Sequence, residues 1–279
     1  MNEVRLPQGT IRYRELGAGE PIVLVHGLLT NGELWRDIAP RLAADFRVIV
    51  PDWPLGSQEI PLEPGTDLSP PGLARLIADF LSALDLENVT LVGNDTGGAL
   101  CQLVAVDHPE RLARLVLTPC DAYEHFPPAG FRPLQELARI PGAIFMIAQA
   151  LRFPAARRLP LAYGWITKRG DAALTASWIA PALGSKVIRR QIAAILTGFS
   201  PRYTLAAAER FGEFTKPVLI AWAPEDRFFK LRDGERLAAA FPDARLELIE
   251  DSYTFVSIDQ PERTASLIAA FAREPAHAH

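Results

Sequence analysis

Histidine and cysteine are scarce in this chain, five and two among 279 residues. Cys101 and Cys120 both fall in apolar runs and match no metal-ligand spacing, so they read as buried free thiols packing as small hydrophobes. That excludes a disulfide framework and makes a reducing, cytoplasmic setting the expectation. Also missing is any apolar run near the ~18 residues of a membrane span. The first ten residues, MNEVRLPQGT, carry no apolar signal region. No membrane partner is expected. Excess positive charge is absent as well: 29 Lys and Arg stand against 33 Asp and Glu, a formal net charge of -4. That balance argues against nucleic acid as a partner. His277 and His279, in the closing EPAHAH, read as a frayed end rather than as metal ligands. No metal and no cofactor is expected.

Apolar surface is what the chain has in quantity. Hydrophobic residues make up 49% of it, enough for one large domain, or one domain with a sizeable insertion, to bury a core unaided. They come as strand-length runs separated by helix-length segments. PIVLVHG (21–27), RVIVPD (47–52), NVTLVGND (88–95), RLVLTPC (114–120), PVLIAWAPED (217–226) and ARLELIED (244–251) read as strands. NGELWRDIAPRLAAD (31–45), SPPGLARLIADFLSALD (69–85), GGALCQLVAVDHP (97–109), DGERLAAAFP (233–242) and ERTASLIAAFAR (262–273) read as helices. Ser69 is the expected N-cap of the second, with prolines in its first turn. Strands that are apolar throughout, separated by helices, imply a mostly parallel sheet covered on both faces, an α/β fold. TIRYREL (10–16) alternates instead, as an antiparallel edge hairpin strand does.

The rhythm stops between about 122 and 212, where helix-like stretches follow one another without a convincing strand. The chain therefore divides into an α/β core, residues 1–121 and 213–279, and a helical insertion, 122–212. From 151 to 200 the insertion holds eight Lys and Arg against one acid, Asp171. This reads as solvated helix faces, or as attraction for an acidic substrate or partner.

The most informative stretch is LVGNDTGGAL (91–100). An apolar strand ends in Gly93-Asn94-Asp95-Thr96-Gly97, and a helix follows. A strand, a sharp turn and a helix with G-x-nucleophile-x-G form a nucleophile elbow. The turn strains its central residue and leaves that side chain standing above the sheet. Gly93 and Gly97 let strand and helix approach closely. The Thr96 N–H points into the same space, near a helix N-terminus that favours negative charge. The plainer alternative is a polar turn in which Asp95 caps the helix.

With this turn the chain resembles the α/β-hydrolase superfamily over nearly its whole length. The matching motifs are VHG (25–27), GNDTGG (93–98), HPERLARLVL (108–117), AWAPED (221–226) and IEDSYTFVSIDQPE (249–262). The helical interval falls where that superfamily carries its cap. An Asp in the elbow resembles the haloalkane dehalogenase and epoxide hydrolase branch. The resemblance implies that Asp95 attacks an electrophilic carbon and forms an alkyl-enzyme ester. It implies an oxyanion hole from the N–H groups of Leu28 and Thr96. It makes Asp226 the acid that orients a histidine, with Glu225 solvated beside it, and the substrate a small, largely apolar organic molecule. His26 and His108 read as structural.

The pattern departs at the histidine itself. In Tyr253-Thr254-Phe255-Val256, with Pro261 at the matching distance, Thr254 occupies the histidine position. Ester formation needs only a carboxylate and help for the leaving group. Ester hydrolysis needs a base to activate water, typically worth ~10²–10⁴-fold, and threonine is no base at neutral pH. Three routes are open. His125, in CDAYEHFPP, replaces the base. Alternatively, Asp95 works as general acid or base without a covalent intermediate, its pKa raised in an apolar pocket near Asp226. The third is a catalytically silent site kept for binding. Trp35, Tyr123 and Phe255 are candidates for the pocket wall, with Trp53 also available, and the resemblance to epoxide hydrolases, which protonate the opening epoxide from cap tyrosines, makes Tyr123, Tyr163 and Tyr203 the candidates for that role. Thr96, not the usual dehalogenase Trp, follows the nucleophile, and Leu28 follows His26-Gly27.

Overall fold

A computed structural model describes residues 1–274, and His277 and His279 lie outside them. The core is one eight-stranded sheet in the order β1-β2-β4-β3-β5-β6-β7-β8. The central strands β3 (Pro21–Val25), β4 (Arg47–Pro51), β5 (Val89–Asp95), β6 (Leu112–Cys120) and β7 (Val218–Trp222) are buried along nearly their whole length. They pair in parallel. Valine, isoleucine and leucine on both faces suit such strands, because helices cover each side. The helix Pro70–Ala83 starts at Ser69, whose hydroxyl accepts from the Gly72 N–H. The helices Thr96–Asp107, Leu231–Ala240 and Pro261–Ala272 also follow the sequence pattern.

Three details differ from the sequence reading. TIRYREL forms β2 (Gly9–Leu16), but β2 is not the edge. Residues Asn2–Leu6 form β1, antiparallel to it and outermost, while β2 pairs on its other side with β4. NEVRL is polar on its exposed positions, so no apolar run marks it. Residues 31–45 do not form one helix. A 3-10 turn, Gly32–Trp35, is capped by Asn31, and a short helix, Ala39–Leu42, follows. Pro40 has no N–H to bond back across that junction. Lastly, β8 (Ala244–Leu248) is shorter than its run and half-exposed at the far edge.

From β3 the chain crosses to β4 on one side and then returns to β5 on the other. The C-terminal ends of β3 and β5 therefore flank a topological switch point, where open α/β sheets form their ligand crevice. Between β6 and β7 the chain is helical, including Arg132–Ala138, Ala143–Ala150, Ala172–Gly184, Lys186–Gly198 and Pro201–Ala208. Buried Asp259 ties this insertion to the core. It accepts from the Thr167 hydroxyl, from the Lys168 and Arg169 N–H groups, and from the Tyr253 N–H. Beside it the Phe255 N–H bonds the Ile166 carbonyl. Several cations of the insertion are engaged internally. Arg157 is buried on four acceptors, Arg189 caps the carbonyls of Ala182 and Leu183, and Lys168 and Arg169 pair with Glu225 and Asp251. No helix among the described residues is long and apolar enough to cross a membrane.

Candidate active site

Asp95 ends β5 with φ 53° and ψ -133°, and the next residue starts a helix. A non-glycine residue at such a positive φ is strained, and strain of this kind persists only where the surroundings enforce it. Here close packing enforces it. A Cβ on Gly97 would lie 2.4 Å from the His26 carbonyl oxygen, and one on Gly27 would lie 2.0 Å from Asp95 Oδ2. Only glycine at both places lets the β3 loop close on the elbow.

That loop supplies an amide. The Leu28 and Thr96 N–H groups lie near enough to the Asp95 carboxyl to favour its ionised form. Burial nevertheless pushes its pKa up to about 7, with the two amides opposing and the Asp226 charge adding to the rise. His26 holds the loop in shape. Its Nε2 accepts from the Trp53 N–H, so Nδ1 carries the proton and donates to the Gly27 carbonyl. Burial lowers this histidine to about 4, so it stays neutral and structural.

A second carboxyl lies beside Asp95. Asp121 follows Cys120, which pairs in register with Asp95 across β5 and β6. It is 2% exposed. Its Oδ2 accepts only the Thr96 hydroxyl, at 3.3 Å, and its Oδ1 has no partner. Its backbone is fixed by Gln102, which donates to the Asp121 carbonyl at 2.8 Å. Burial and the neighbouring Asp95 charge hold Asp121 well above the ordinary carboxylate range. Sequence reasoning passed over this residue. The available signal was an acid directly after an apolar strand whose end reaches the site.

Asp226 and Thr254 meet at the other side of the elbow. Asp226 Oδ1 accepts the N–H groups of Phe228 and Phe229, at 2.7 and 2.8 Å. Its Oδ2 and the Thr254 Oγ1 have no partner of good geometry, although the hydroxyl is near enough to favour the ionised carboxyl. Burial outweighs these donors and raises Asp226 to about 6. Asn94, the residue before the elbow tip, donates to the Thr254 carbonyl at 2.8 Å and so ties this loop to β5. Thr254 thus stands beside Asp226, the two residues that the sequence resemblance pairs.

Above Asp95 lies a cavity of about 370 Å³. Of its 23 lining residues only Asp95, Thr96, Asp121 and Tyr163 are polar, and no Lys, Arg, His or Trp is among them. The insertion supplies most of the wall, including Phe131, Leu134, Ile147 and Phe199. Leu28 lines it as expected of the loop after β3. Tyr163 does too, with its hydroxyl donating to the Leu29 carbonyl at 2.9 Å.

Several candidates lie elsewhere. His125 is not in the cavity: its Nδ1 bonds Asp233 Oδ2 at 3.1 Å on the helix Leu231–Ala240, where it cannot serve as the base. Trp35 is wholly buried in the core below the site. Tyr123 stacks edge-on against Phe211 under the Arg236 guanidinium. Phe255 packs against Trp178, away from the cavity surface. Trp53 packs on Phe80, and Tyr203 sits with Arg202. Each of these is an aromatic whose type suits either a pocket or a core, and burial of large apolar area decides for the core.

A parallel sheet, a strained carboxylate at a strand-to-helix elbow, and two converging amides define an α/β hydrolase. Residues 20–261 match the family described as alpha/beta hydrolase fold, and the chain belongs to it. Haloalkane dehalogenase 2 of Mycobacterium tuberculosis is 29% identical over 274 residues, covering 94% of this chain and 91% of that protein. The 2-hydroxy-6-oxo-6-phenylhexa-2,4-dienoate hydrolase of Burkholderia cepacia is 27% identical over 267 residues, covering 89% and 86%. Among solved structures, the epoxide hydrolase CorEH superposes with a TM-score of 0.80 at 19% identity, over 97% of both chains. That likeness speaks to the fold. The chain is therefore a hydrolase-fold protein, similar in sequence to a haloalkane dehalogenase and to a dienoate hydrolase.

Proposed function

We propose that this protein is an enzyme in which Asp95 attacks a small, neutral, largely apolar electrophile in a cavity capped by residues 122–212. The observation that carries this reading is the Asp95 carboxyl itself. It stands at a strained elbow tip and opens onto the cavity, with two backbone N–H groups close by. The nearby amides favour the ionised group that attack needs. The same donors then face the oxyanion that forms when the resulting ester is opened, and preorganised donors of this kind give large rate effects. The cavity wall contributes apolar contact and no fixed positive charge. An anionic substrate entering it would meet carboxyls and no counter-charge. Asp226 no longer orients a base. Its Oδ1 closes the turn that follows it, through the Phe228 and Phe229 N–H groups.

Intact-mass measurement after exposure to 1-bromohexane tests this. The wild type should gain one alkyl group, mapped to Asp95, and Asp95→Asn should gain none. An equal adduct in the variant would refute the role of Asp95. Thr254 favours a second reading, a protein that binds such molecules without reacting. Saturable binding of hexane-sized ligands with no adduct and no product would select it.

A further inference from the structure

Asp121 plays no part in the triad pattern, yet it is a buried acid opening onto the same cavity as Asp95, with one oxygen left without a partner. A buried carboxylate oxygen with no donor is costly, while a protonated acid in the same place is much less so. The two acids are unequally supplied. Asp95 has two backbone N–H groups close by that favour its charge, and Asp121 has one hydroxyl at 3.3 Å and an oxygen with no partner. Donors favour the ionised form, so the single proton of the pair rests on Asp121 and the charge on Asp95. Like charges this close resist a second ionisation. The cavity offers no other acid: Tyr163, its one tyrosine, commits its proton to the Leu29 carbonyl.

We propose that Asp121 is the acid and then the base of this site, and that it restricts sustained turnover to electrophiles that take up a proton as they open, namely apolar epoxides. This rests on Asp95 being the nucleophile. An Asp95 oxygen attacks an epoxide carbon, the ring C–O bond breaks, and the freed oxygen takes the Asp121 proton. The products are a hydroxyalkyl ester at Asp95 and a carboxylate at Asp121. The opening step has therefore created the base that the second step needs. Water loses a proton to Asp121 as its oxygen attacks Asp95 Cγ, with the oxyanion held by the Leu28 and Thr96 amides. The ester C–O bond breaks, the departing alkoxide takes the proton back from Asp121, and the diol leaves. Asp95 is then the carboxylic acid and Asp121 the carboxylate, and transfer of that proton within the pair restores the start. Epoxide and water give diol, with one proton on the pair before and after.

A haloalkane breaks this cycle. Its halide leaves without a proton, so Asp121 still holds its own when the ester has formed, and Thr254 provides no substitute. The ester then accumulates. One site thus treats two electrophiles of equal size differently because of where a proton goes.

The test compares 1,2-epoxyhexane with 1-bromohexane on the wild type and on Asp121→Asn, following diol release and adduct by mass spectrometry. The wild type should release many diols per chain from the epoxide and stop at one persistent hexyl adduct with the bromide. Asp121→Asn should open the epoxide roughly 100-fold more slowly, and the ester it forms should persist. Alkylation of Asp95 in this variant by 1-bromohexane, at whatever rate, shows an intact elbow. Wild-type diol release from Asp121→Asn overturns the proposal. So does a wild-type epoxide ester that lasts as long as the hexyl one. Both outcomes leave Asp95 as nucleophile. Absence of adduct and diol from the wild type with both compounds instead overturns the nucleophile reading itself.

Discussion

Replacing Asp95 by asparagine should make the protein more stable, and increasingly so as the pH rises. Asp95 titrates at about 7 in the fold, against about 3.9 for an aspartate in an unfolded chain. Burial is the main cause, and the two amides recover only part of the cost. A rise of that size corresponds to about 4 kcal/mol. The sign follows from linkage. Because the folded pKa is raised, its contribution is fully present below about pH 4 and is lost as the pH climbs from there to about 7. Above that range the native protein carries the full penalty of a buried charge. Asparagine has no charge to bury. It keeps the size, an acceptor oxygen for the Leu28 and Thr96 amides, and a tolerance of positive φ. The Asp95 charge is one of the causes that hold Asp121 up, so the substitution relieves Asp121 as well, in the same direction. The variant should match the wild type near pH 4 and exceed it by up to about 4 kcal/mol at pH 8.5. For a chain of this length that corresponds to a midpoint on the order of 10 °C higher. Scanning calorimetry at pH 4.5, 6 and 8.5 reads the difference directly. A gap that does not change with pH, or a wild type that is the more stable at pH 8.5, would refute the account of a desolvated nucleophile.

The same titration governs reactivity. Alkylation by 1-bromohexane should rise about tenfold per pH unit up to about 7 and level off above, because only the carboxylate attacks; a flat halide-release profile from pH 5 to 9 contradicts this. Gly27→Ala places a Cβ 2.0 Å from Asp95 Oδ2. It should slow alkylation by roughly 100-fold or more, and an unchanged rate would show that the loop does not hold the carboxyl. Thr254→His puts an imidazole beside Asp226. Hydrolysis of the accumulated hexyl ester should accelerate by ~10²–10⁴-fold, measured as bromide released after the first turnover. No gain would mean that the missing imidazole is not the deficit.

The parts legible in the sequence are those written in local patterns. Strands buried on both faces need continuous apolar runs, so β3 to β7 stand out, as do the capped helix at Ser69 and the elbow, where glycine spacing encodes a close approach. β1 was invisible because an exposed edge strand needs no apolar face, and the break at Pro40 depends on one missing donor. At the site, Asp95, Leu28 and Thr96 could be named because they lie within a few residues of strand ends. Asp121 was not, since an acid after a strand is common and its significance lies in having almost no donors. The same limit misplaced His125, Trp35, Tyr123 and Phe255. Which way a side chain faces after a linker, and whether a large aromatic lies in the cavity or in the core, is decided by packing between distant segments.

The asymmetry in how the insertion is fastened sorts the protein into a fixed half and an exchangeable one. Asp259 pins residues 167–169, and with them the loop that carries Thr254. Among the described residues, the side-chain hydrogen bonds of 128–161, such as those of Gln135 and Arg157, stay within the insertion. Yet that stretch forms much of the cavity wall. Molecular taste and chemical competence are therefore separable in this chain. A library confined to 128–161 would alter which molecules are admitted while leaving the pair of acids, the amides and their charge balance as they are.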